Sequence, residues 1–138
     1  MPRSRPRLAP PNVNSAPLEV LAPDHSIVDV RDLAKEVCRR YRAEFGDEDE
    51  RYGDAGQAWC VHDNRYLLHW ALLDARGTTS LRDQVAWLAG VLDARDFPLD
   101  RLARDLELCA DVVAETGAPW ADDVAGRLRA ATSAATGQ

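Results

Sequence analysis

WCVHDNRYLLHW, from Trp59 to Trp70, gathers a thiol, two imidazoles, a carboxylate, a phenol and two indoles into twelve residues. Set at roughly 100° per residue on a helix, these side chains separate into faces. Tyr66, Trp70 and Leu73 fall within about 40° of Trp59, and Val61, Leu68 and Leu72 lie opposite. His62, Arg65, His69 and Arg76 occupy the only polar arc, which reads as surface. A helix apolar over so much of its circumference is central to an all-α domain. Asp63 stands inside the apolar arc, between Leu67 and Trp70, with Cys60 about one turn before it. An ionised carboxylate there needs donors: a Trp indole, an arginine from another helix, or the N–H groups of a ligand.

The same spacing tells against metal and enzyme chemistry. His62 and His69 are two turns apart, roughly 10 Å along the axis, too far for one ion. Cys60 and His62 point to different faces, and the chain has neither a phosphate loop nor a nucleophile elbow. No catalytic residue and no metal ligand is assigned.

Outward from this helix, expected over roughly residues 55–76, punctuation marks the others. Asp24 or Ser26 can cap a helix carrying Ile27, Val30, Leu33, Ala34, Val37 and Tyr41, ending at Gly46. The run Asp47–Glu50 suits the positive start of a short helical turn, with a solvated face. Gly53 and Gly56 precede the central helix and Gly77 closes it. Thr79 or Ser80 caps a helix over roughly 80–95, Pro98 opens another that ends at Gly117, and Pro119 starts the last. Mid-helix Gly90 marks a close helix crossing. Trp87, off its helix's stripe, is either core to a further neighbour or part of a homodimer face. No strand alternation is visible, and five to six helices are expected over residues 24–138.

Residues 1–23 hold six prolines, two of them adjacent, and read as a disordered tail. The net charge is −6. Arg3, Arg5 and Arg7 have no acid beside them, so setting their +3 apart leaves −9 on the rest. A domain this acidic is a poor nucleic-acid binder. No apolar run approaches the roughly 18 residues of a membrane span, and no signal peptide is evident. Cys38, Cys60 and Cys109 are scattered and odd in number, which suits reduced thiols in the cytoplasm.

The order C-x-x-D-x-x-Y-x-L, here Cys60, Asp63, Tyr66 and Leu68, resembles the chromophore helix of the phycobiliproteins. The landmarks after it are also similar: Gly77, Ser80-Leu81 with Asp83, Gly90-Val91-Leu92 and Pro98. The likeness spans about residues 53–115 and is closest to the small phycobiliprotein-related globins associated with bilin biosynthesis in non-photosynthetic bacteria. It implies a globin-like fold and a bilin cofactor, a linear tetrapyrrole such as phycocyanobilin or biliverdin. Asp63 would accept from its pyrrole N–H groups, and Tyr66, Trp59, Leu67 and Trp70 would wall it. Cys60 is the thioether position of that family; by its own pattern it reads equally as a packed apolar residue. Where the family carries arginines, this chain has His62 and His69, so propionate pairing would be weaker and pH-dependent. The implied role is a non-catalytic carrier, chaperone or sensor, with bilin-biosynthesis enzymes as partners. The alternative is a ligand-free helical adaptor working through protein contacts.

Overall fold

A computed structural model describes residues 9–12 and 16–137 of the chain. The first regular structure is a hairpin, β1 (Glu19–Leu21) pairing antiparallel with β2 (Ile27–Asp29) in the register Val20↔Val28. This replaces the expected start of a helix at Ile27 and places ordered chain inside the segment read as a tail. Arg3, Arg5 and Arg7 lie outside the described residues. Each strand buries one valine between two exposed residues, so the alternation is real but too short to stand out. Asp24 and Ser26 serve the turn instead of a helix cap: Asp24 Oδ1 accepts from the backbone N–H of Ser26 at 3.0 Å.

Six helices follow. In α1 (Val30–Glu44), Asp29 is the cap, accepting from the Asp32 N–H at 2.9 Å. Val30, Ala34, Val37, Cys38 and Tyr41 form its buried stripe. Next, α2 (Glu48–Ala75) begins with a single turn, breaks at Gly53 and continues to Ala75; Arg76 caps it, and Gly77, with a φ of 78°, turns the chain away. The other helices are α3 (Leu81–Asp93), capped by Ser80, α4 (Leu99–Glu115), entered from Pro98, α5 (Ala121–Ala130) and the short α6 (Thr132–Thr136). The architecture is all-helical apart from the hairpin, and helix boundaries fall close to their sequence signals. No helix among the described residues is long and apolar enough to cross a membrane.

The core is one cluster. Helix α4 packs along α5, α6 and α1, while α2 lies against α1, α5 and α3, with the hairpin laid across α2. The angular reading of α2 needs correcting here. Its buried face is Asn64, Arg65, Leu67, Leu68, Ala71 and Leu72, and the indoles sit at the edge of that face. Arg65, assigned to a polar arc, is buried because the chain before β1 covers it; its Nε donates to the Pro17 carbonyl at 2.8 Å and its Nη2 to that of Ala16. Gly90 is exposed and a Cβ there would meet nothing within 4 Å, so it marks no helix crossing.

Two glycines shape the bend in α2. Gly53 has φ 65° and ψ −158°, a region open essentially to glycine alone. A Cβ on Gly56 would lie 2.3 Å from the Cβ of Tyr52. Gly53→Ala is therefore expected to destabilise by about 1–3 kcal/mol in urea unfolding. An unchanged midpoint would mean the bend is not held at this residue.

Candidate functional site

The bend places the turn Glu48–Tyr52 and the first turns of the long part of α2 around a cavity of about 200 Å³. Helix α4 and the chain leading into it close the opposite side. The inner end is buried and carries Asn64, Leu67, Leu102 and Asp105; the mouth carries the exposed Asp49, Gln57 and Arg95. Tyr52 and Phe97 form an aromatic pair on the wall, with ring centroids 6.2 Å apart.

The acidic run beside the cavity keeps a solvated face at Asp47, Asp49 and Glu50, while Glu48 turns inward. Arg101 reaches Asp47 at 3.0 Å and Glu48 at 3.2 Å, and Asp49 pairs with Arg42. Glu48 is buried and also accepts from the Tyr41 hydroxyl, whose pKa is raised by burial and then by that carboxylate. A buried carboxylate is tolerated when donors surround it, and Glu48 has two.

At the inner end, the three scattered cysteines converge on one amide. Asn64 Nδ2 lies 3.4 Å from Cys38 Sγ and 3.5 Å from Cys60 Sγ, and donates to the Cys60 carbonyl at 3.0 Å. The Cys109 thiol donates to Asn64 Oδ1 at 3.1 Å. All three thiols are free. The neighbouring Cys38 thiol, followed by burial, pushes the Cys60 pKa well up, and burial does the same for Cys109. These are poor nucleophiles at neutral pH. Asp105 lies beside Asn64, and burial raises its carboxyl pKa to about 7 against the amide's opposing effect. Its Oδ1 is buried and has no hydrogen-bond partner.

The residues expected to form the site therefore divide. Trp59, Cys60, Asp63 and Leu67 line the cavity. His62, Tyr66 and Trp70 do not; with Trp59 they form a row along the adjoining face, with centroid separations of 4.9, 5.2 and 5.5 Å. His62 is in this row, its side chain only 14% exposed, and is no surface residue. Asp63 is 29% exposed, with His62 Nδ1 3.1 Å from its Oδ1, so it is a half-covered acid on the cavity wall. Trp59 joins row and cavity, and its indole donates to the Ala9 carbonyl at 2.5 Å. His69 is half-buried, which lowers its pKa.

Sequence reasoning missed Asn64 and Asp105. The second was detectable: Asp105 stands three residues after Leu102 and four before Cys109, on the buried stripe of α4. Among the described residues, no group of three or more His, Cys, Asp or Glu side chains could hold a metal ion. No protein family, curated protein or solved structure matches this chain.

Proposed function

We propose that the domain binds a flat, conjugated ligand bearing N–H groups at this cavity, and that the ligand is a linear tetrapyrrole held by a globin-like helical fold. The observation that carries the reading is the composition of the cavity. Carboxylates from α2 and α4, Asp63 and Asp105, line a space whose apolar wall is made by Tyr52, Trp59, Phe97 and four leucines, with the ion-paired Arg42, Glu48, Asp49 and Arg101 around it. Pockets for small molecules have this make-up, mostly apolar with a few convergent polar groups. At about 200 Å³ the space is smaller than the roughly 300–1,000 Å³ of pockets that enclose a whole ligand. A bilin would insert one end and run out past Trp59 along the row to Trp70.

Binding is non-covalent at neutral pH in this reading. Addition of the Cys60 S–H across a double bond of the pigment would form an S–C bond and move the thiol proton to carbon. A thiol kept protonated by Cys38 and by burial makes that step slow. The role is that of a carrier, chaperone or sensor without catalysis.

The test is the visible spectrum of biliverdin or phycocyanobilin mixed with the protein. A red shift with sharpening is expected, weakened about tenfold in affinity in Asp63→Asn, and the colour should leave the chain on a denaturing gel stained with zinc. A free-pigment spectrum at micromolar protein would rule the ligand out. Colour retained after denaturation in wild type and lost in Cys60→Ala would establish the thioether instead. A second reading, an adaptor working through protein contacts, is favoured by exposed apolar side chains, among them Trp87 at 62% and Ile27 at 68%.

A further inference from the structure

Most charged groups lining the cavity are already matched. Arg42 pairs with Asp49, Arg101 with Asp47 and Glu48, and Asp63 faces His62. Asp105 differs from all of them. It comes from α4, lines the buried inner end, and exposes only 7% of its surface. Asn64 interacts with the carboxylate, but Oδ1 has no donor. A buried acceptor left open is costly, and native chains fill such positions with a partner, a water or a ligand.

We propose that Asp105 Oδ1 accepts a hydrogen bond from a neutral ring N–H of the ligand, and that the inner end of the cavity selects a flat group of one or two fused or linked rings. This rests on reading the cavity as a ligand site, and does not require the ligand to be a bilin. The size follows from the cavity of about 200 Å³, and the flatness from the Tyr52 and Phe97 rings on its wall. A ring N–H brings one donor to one open acceptor. Asp105 would then set the orientation of the inserted end, while Asp63 contacts the part nearer the mouth.

Indole and benzofuran have nearly the same shape and differ in presenting N–H or ring oxygen at one position. Calorimetric titration of the full chain with each is expected to show indole binding at least tenfold tighter. In Asp105→Leu, which replaces the carboxyl group with an apolar group of the same heavy-atom branching, the two should bind alike. Equal binding to wild type, an indole preference that survives in Asp105→Leu, or no binding of either at millimolar concentration would each overturn the proposal. If Asp105→Leu does not fold, the N–H proton of ¹⁵N-indole bound to wild type decides. A downfield shift with contacts to Leu102 supports the assignment, and an unmoved proton overturns it. A biliverdin red shift without indole preference would remove only this inference. Indole preference with an unchanged biliverdin spectrum would remove only the bilin.

Discussion

Asp105→Asn is expected to stabilise the protein at pH 8 by on the order of 4 kcal/mol and to leave it nearly unchanged at pH 4. The folded carboxyl holds its proton to about pH 7, whereas in the unfolded chain it loses it near 3.8. Above 3.8 the unfolded state therefore binds fewer protons than the folded one, and stability falls as pH rises until the folded group ionises near 7. An amide imitates the protonated acid and removes that loss. His69 works in the other direction, because burial lowers its pKa and stability drops as pH falls below 6.5. Since His69 is common to both proteins, the difference between variant and wild type isolates Asp105. The arginine-paired acids Glu36, Glu44, Asp47 and Glu115 have lowered pKa values, so they lose their contribution only at still lower pH. Urea unfolding at intervals from pH 4 to 8 measures the difference. Parallel curves for the two proteins would show that Asp105 is ionised throughout and solvated in the folded state.

Arg65→Met should cost about 2–4 kcal/mol, since two hydrogen bonds from a charged donor are lost while the aliphatic stem is kept. Arg65 is buried, and its guanidinium holds the carbonyls of Ala16 and Pro17 just before β1. From there the chain runs through Leu18, whose carbonyl accepts from the Val30 N–H at 3.1 Å, into the hairpin. Losing the anchor should loosen this unit ahead of the helices. Hydrogen exchange is the direct readout: the amides of Val20, Val28 and Val30 should exchange faster while those of α4 change only with global stability. Unaltered protection at Val30 would mean that burial of Val20 and Val28 holds the hairpin without Arg65.

These two residues also show where the sequence was readable. Helix boundaries are set by local chemistry, such as the Ser80 hydroxyl on the Asp83 N–H, Pro98 before α4 and the positive φ of Gly77 and Gly117, so they could be read nearly in place. Arg65 could not, because what covers it is a segment 48 and 49 residues away whose own strands have three residues each. The same holds for Asn64. A polar residue two turns into a helix looks like surface until Cys38, 26 residues before it, and Cys109, 45 after it, are brought to its amide. For the candidate site, Trp59, Cys60, Asp63 and Leu67, singled out by the angular reading and the family resemblance, do line the cavity. The division of the aromatic residues between cavity and row was not legible, because it depends on the bend at Gly53 and on where α4 packs.

Whether the cavity between α2 and α4 is the ligand site can be read from one measurement, amide chemical-shift mapping of the ¹⁵N-labelled protein titrated with biliverdin. The largest changes should cluster at Asn64, Phe97 and Asp105 and continue along Trp59 to Trp70, with Trp87 on α3 unmoved. Changes centred on Trp87 and the hairpin, or none at saturating pigment, would contradict it.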